Sequence, residues 1–109
     1  MLIWLDDQKD DPDTPDRHPP SNEWFGFKSP KKVIYLIKIG IVDEISFDHD
    51  LGNHVIGNGY TVAKFIEREA FHGRCKRIKW SIHSANPIGR ENIKRAMESA
   101  ERFWDSQGI

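Results

Sequence analysis

Three short clusters in this 109-residue chain carry side chains that could do chemistry together: Asp6-Asp7, Asp48-His49-Asp50 and His83-Ser84, the last followed by Asn86 and Arg90. Four carboxylates brought to one place repel one another unless positive charge lies between them, and a hard divalent cation is the economical answer. Asp6, Asp7, Asp48 and Asp50 are therefore candidate metal ligands. An oxygen-only set of this kind suits Mg2+, or another divalent cation, with some waters retained. His49 and His83, with a reference pKa of ~6.5, are suited to taking a proton from a nucleophile and returning one to a leaving group near neutral pH. Together with Asp48 they form the candidate catalytic group. Ser84, Asn86 and the free N–H groups of a helix beginning near Pro87 would cradle an anion, and Arg90 stands one turn further on. A phosphate ester is the cargo that matches such a set.

Each cluster alone has an ordinary explanation. Asp6-Asp7 could simply end a strand, Asp48 to Gly52 could form an Asx-type turn, and His83-Ser84 could be a satisfied histidine beside a helix cap. Only a common location favours a site, and the surrounding pattern supplies one. Leu2 to Leu5 and Ile41 to Phe47 read as buried strands, and Ile78 to His83 alternates as a strand covered on one face, as at a sheet edge. The clusters close these three strands. In an open parallel sheet the ligand site lies outside the carboxyl ends of the strands.

The remaining elements follow from punctuation and period. Residues 8–22 interleave Asp10, Asp11, Asp13 and Asp16 with Pro12, Pro15, Pro19 and Pro20, which excludes a helix or a ladder strand and predicts a long loop. Trp24-Phe25-Gly26-Phe27 reads as a short strand contributing to the core, with part of a contact surface beside the acidic loop as its alternative role. Ser29-Pro30 supplies a cap and a proline start for a helix running to about Ile39 and stopping at Gly40, although the apolar run Val33 to Ile37 would also suit a strand. A second helix spans Tyr60 to about His72 with Val62, Phe65, Ile66 and Ala70 as its apolar stripe. A third runs from Pro87 to near Gln107, with Ile93, Ala96, Met97, Ala100 and Trp104 as its core face. Alternating strands and helices predict a single α/β domain over residues 1–109, compact and doubly wound, with about four parallel strands.

Composition narrows the class. Hydrophobic residues make up 38% and charged residues 30%, as in a folded globular domain. The 16 Lys+Arg against 17 Asp+Glu leave no strong field to gather nucleic acid through its phosphates. The single Cys75 excludes an internal disulfide or a multi-cysteine metal site and reads as a small semi-buried residue. The start of the chain lacks the basic and apolar regions of a signal peptide, and no apolar run approaches the ~20 residues of a membrane span, so a cytoplasmic protein is expected. His18, His54 and His72 are expected at the surface.

Trp4-Leu5-Asp6-Asp7, Ile45-Ser46-Phe47-Asp48-His49-Asp50-Leu51-Gly52 and Ile82-His83-Ser84-Ala85-Asn86-Pro87 resemble the cyclic-phosphate processing receiver-like domains of bacteria and phages over Met1 to Asn92. That resemblance implies a receiver-like (flavodoxin-like) sheet in the order 2-1-3-4 with three helices. It also implies an acidic, metal-holding pocket of Asp6, Asp7 and Asp48, an acid–base pair of His49 and His83, and a phosphate contact at Ser84. The pattern departs from an ordinary signalling receiver in two ways: the first helix is replaced by the Asp/Pro-rich loop, and no fifth strand follows to supply the usual Lys. A phosphorelay role for Asp48 is therefore the least favoured reading. The leading expectation is metal-assisted hydrolysis of a cyclic phosphate on a nucleotide or RNA end. The alternative is a non-catalytic binding module that sequesters a nucleotide signal or docks a host or partner protein. The edge strand at Ile78 to Ile82 offers a further surface for a homodimer.

Overall fold

Four short parallel strands in the order β2-β1-β3-β4 carry three helices, as the sequence predicts. The computed structural model describes residues 1–6, 21–48, 59–83 and 87–109. The elements are β1 (Leu2–Leu5), β2 (Trp24–Phe27), α1 (Pro30–Lys38), β3 (Glu44–Phe47), α2 (Gly59–Phe71), β4 (Lys79–Ile82) and α3 (Pro87–Ser106). The greater part of the expected 8–22 loop lies outside the described residues.

Register follows from where β1 begins. Leu2 pairs with Trp24 on one side and Glu44 on the other, and Glu44 pairs with Lys79. The third strand, expected from Ile41, is consequently shorter. Asp43 and Glu44 both donate backbone N–H to the Met1 carbonyl, and the paired register begins at Leu2 opposite Glu44. Val42 and Ile78 are still buried, but as core residues that precede their strands. Both β2 and β4 are edges, in keeping with the alternation read in the β4 sequence.

The helices obey their apolar spacing. In α1 the competition between helix and strand resolves to helix, because Val33 and Ile37 stand one turn apart on its buried face and Tyr35 points away. Pro30 fixes the start. Ser29 occupies the cap position with extended backbone, but its side chain makes no cap hydrogen bond, so the expected serine cap is corrected to a proline start. Gly40, at φ +81°, closes the helix, and its N–H bonds the Ile37 carbonyl at 3.0 Å. In α2 Val62, Phe65, Ile66 and Ala70 are all buried, as are Ile93, Ala96, Met97, Ala100 and Trp104 in α3. Trp104 donates its indole N–H to the Cys75 carbonyl at 3.0 Å, satisfying its one polar atom inside the core.

All three helices form one layer. Their apolar faces meet Ile3, Leu5, Ile45 and Phe47 in a single core, and Phe27, Trp80 and Ile82 pack at its margin. Side chains alternate across a strand, so Trp4, Ser46 and the residues that follow each strand belong to the opposite face. In a doubly wound sheet the connection from β1 to β2 crosses that face. Here residues 7–20 of this connection lie outside the described residues. The Trp24 to Phe27 segment divides between the two sides: Phe27 joins the core, Trp24 turns to Trp4, and Phe25 stays 54% exposed because β2 is an edge. The expectation that this segment is core therefore holds for Phe27 and is corrected for Phe25. Among the described residues no helix is long and apolar enough to cross a membrane.

Candidate active site

Because Leu5, Phe47 and Ile82 stand side by side in register, the next residue of each strand must also fall in line. Those residues are Asp6, Asp48 and His83. The ladder extends one step further to hold their backbones: Asp48 donates its N–H to the Leu5 carbonyl at 3.0 Å, His83 to Phe47 at 2.9 Å and Asp6 to Phe27 at 3.0 Å. Alternation turns all three side chains away from the helical core, onto the face that carries Trp4 and Ser46.

Asp6 and Asp48 are fully buried, and the His83 side chain is 13% exposed. Each of the three offers one ligand atom, and these atoms all lie within 4.8 Å of one another. Two buried carboxylates this close repel, and positive charge between them stabilises both. The chemistry of the set, two carboxylate oxygens and one imidazole nitrogen converging from three strand ends, fits a divalent cation. Among the described residues the group thus adds a ring nitrogen to Asp6 and Asp48, while Asp7 and Asp50 of the oxygen-only set lie outside the described residues.

The His83 ring is held in three ways. Nε2 lies 3.0 Å from Asp6 Oδ2, Nδ1 lies 2.7 Å from Ser46 Oγ, and the ring stacks on Trp4 with centroids 3.9 Å apart. Where the Asp6 carboxylate is ionised it only accepts, and Nε2 is then the nitrogen that carries the proton toward it. In a neutral ring Nδ1 then accepts from the Ser46 hydroxyl. Ser46 is only 3% exposed, and Trp24 meets Trp4 edge to face at 6.1 Å, which extends the aromatic wall along the sheet.

Two further residues shape the rim. Gly59 begins α2 directly against the backbone of Asp48: a Cβ there would overlap the Asp48 carbonyl oxygen and lie 2.9 Å from its carbonyl carbon. Only glycine lets the helix approach the site this closely. Arg90, in the first turn of α3, donates to the Ile82 carbonyl at 3.4 Å, beside His83, and lines a hollow of about 270 Å3 with Ile82, Pro87, Glu91 and Lys94.

Of the residues singled out from sequence, Asp6, Asp48 and His83 come together and Arg90 stands at the neighbouring rim. Asp7, His49, Asp50, Ser84 and Asn86 lie outside the described residues, as do His18 and His54. His72 is exposed at the end of α2, as expected, against Phe71. Ser46 and Trp4 carry the geometry of His83 and were given no role from sequence. The signal was present in the strand period, because each stands two residues before a site carboxylate and so shares its face. Cys75, expected semi-buried, lies in the core, and that burial pushes its thiol up to about 11.

A protein-family model described as a cyclic-phosphate processing receiver domain matches residues 1–99. No curated protein and no solved structure matches the chain.

Proposed function

The chain belongs to the cyclic-phosphate processing receiver domain family, and from that premise we propose that it hydrolyses a cyclic phosphate ester on a nucleotide or an RNA end. The observation that carries this reading is the convergence of Asp6, Asp48 and His83 at the carboxyl ends of three adjacent parallel strands. Ligands of open parallel sheets bind at that edge.

In the reaction water attacks phosphorus, one ring P–O bond breaks, and the departing sugar oxygen gains a proton. The products are a phosphate monoester and a free hydroxyl. Asp6 and Asp48, with His83, would hold a divalent cation, which when bound neutralises phosphate oxygens and makes phosphorus easier to attack. Magnesium is the ion that an all-carboxylate site would favour, and the imidazole widens the choice. Asp7 and Asp50 are the further carboxylates of this reading.

Proton handling divides between the two histidines unequally. His83 has both ring nitrogens engaged within the site, so its part is to complete the floor beside Asp6 and Asp48. His49, adjacent to Asp48 in the chain, takes the proton of the attacking water and returns one to the departing sugar oxygen. Ser84, Asn86 and Arg90 steady the phosphate oxygens through hydroxyl, amide and guanidinium donors.

A panel of 2′,3′-cyclic mononucleotides, cyclic dinucleotides and RNA ending in a cyclic phosphate tests the reading. Each substrate is incubated with the full chain, with and without divalent cations, and followed by 31P NMR. Opening of at least one ring, lost on chelation, is expected. Stoichiometric binding without product would replace the enzyme with a binding module.

A further inference from the structure

Resting on the reading that this site holds a cation, the donor set carries the account one step further, to which cation it takes. Hard oxygen-only sites suit Mg2+, which also keeps much of its water. Imidazole suits Zn2+, Fe2+ and related transition ions, whose affinity for nitrogen donors rises along the first row. Among the described residues the third member of the group, at the end of β4, is a histidine. The supporting contacts make that histidine a prepared ligand. A metal-binding histidine usually hands its other ring N–H to an acceptor that fixes its tautomer and plane. Here that acceptor is present: Ser46 Oγ stands 2.7 Å from Nδ1, while Nε2 faces Asp6 within the group of three.

Ser46 is suited to this work by chemistry and by size. A hydroxyl is both donor and acceptor. In the cation-free ring it donates to Nδ1 while Nε2–H points to Asp6. With a cation on Nε2, the ring proton resides on Nδ1 and the same hydroxyl accepts it. The neutral ring keeps one proton throughout, and no partner has to move. The small side chain also matters, because β3 runs between the strands that carry Trp4 and His83. Trp4 and Ser46 are direct neighbours in register, and a side chain no larger than serine leaves space for the two rings to meet above it.

We propose that Asp6, Asp48 and His83 select a first-row transition ion such as Zn2+ or Fe2+ over Mg2+, with Ser46 as the positioning residue that sets the His83 tautomer. The test uses the full chain with 15N-labelled histidine, freed of metal, and titrated separately with Zn2+ and Mg2+. His83→Asn identifies the His83 resonances and so separates this site from binding at other histidines. One equivalent of Zn2+ is expected to shift Nε2 of His83 and move its proton to Nδ1, whereas Mg2+ leaves the ring unchanged. Ser46→Ala, which keeps the small size and removes the hydroxyl, should weaken Zn2+ binding about 10–100-fold without altering Mg2+ binding. Zn2+ binding that leaves the His83 ring unperturbed, or full Zn2+ affinity in folded Ser46→Ala, overturns the inference. Ring opening supported by Mg2+ with His83 unperturbed overturns it as well and leaves the proposed function standing. Zn2+ on His83 without turnover of any cyclic phosphate supports the inference and overturns the function.

Discussion

His83 on β4 lies flat against Trp4 on β1, with ring centroids 3.9 Å apart and planes 6° from parallel, although β3 runs between the two strands. The contact bridges two strand spacings over Ser46, and the same serine holds Nδ1 of the ring. The His83 ring is thus where an aromatic wall, the Ser46 hydroxyl and the buried Asp6 carboxylate meet.

Trp4→Leu removes that wall. The loss of a buried indole should destabilise the fold by about 3 kcal/mol, including the roughly 0.5–1.5 kcal/mol typical of an aromatic pair. Chemical denaturation measures the first effect. NMR of the His83 ring measures the second, and the ring should reorient even where the variant is fully folded. A His83 spectrum identical to wild type would show that Asp6 and Ser46 alone hold it.

Gly59→Ala and Gly40→Ala should fail for different reasons. At Gly59 the added methyl meets the backbone carbonyl of Asp48, which cannot swing aside like a flexible side chain. Overpacking of this kind costs about 1–3 kcal/mol, and the Asp48 amide resonance should shift. At Gly40 nothing lies near the added carbon, but φ is +81°. That conformation costs an L-residue about 1–2 kcal/mol, and the site should be untouched. Paired denaturation curves and amide spectra distinguish the two.

Asp43 gives an acid-range prediction remote from the site. The hydrogen bond from Lys76, followed by that from the N-terminal amine, lowers its carboxyl from 3.8 to about 2. A depressed value favours the folded state above the ordinary carboxylate range, and the contribution is lost as pH falls through about 2. Asp43→Asn should therefore lower Tm at neutral pH and converge with wild type as pH falls toward 2. Because the pair is exposed, salt should shrink the difference. A gap independent of both pH and salt would rule out this ion pair as its source.

Cys75 should be inert in the native protein. Burial is the first cause of its raised value of about 11, and a thiol protonated at pH 8 is a poor nucleophile. A thiol-reactive dye should label the chain slowly when folded and at once in denaturant. Equal rates would contradict the buried placement.

Much of this arrangement was legible before any coordinates. The apolar runs of β1 and β3 and the three- and four-residue spacings of α2 and α3 are direct consequences of burial, so they can be read from residue types. The convergence of Asp6, Asp48 and His83 was legible because a parallel sheet brings the residues after its strands to one carboxyl edge. For Ser46 and Trp4 the strand period gave the face they share with the carboxylates, but their contacts with His83 depend on the register between strands distant in sequence. The Trp4 to His83 stack joins positions 79 residues apart. The missing serine cap of α1 and the early end of β3 depend on local geometry that residue type alone does not set. Phe25 illustrates the same point: its aromatic character suggested core, while the edge position of β2 leaves it exposed.

The most direct test of the central claim is isotopic. The full chain is incubated with a 2′,3′-cyclic nucleotide and a divalent cation in water enriched in 18O, beside Asp48→Asn matched for Tm. Hydrolysis at this site predicts a phosphate monoester carrying one 18O on phosphorus, formed by wild type and not by the folded variant. Unlabelled product, or equal labelled product from Asp48→Asn, would contradict it.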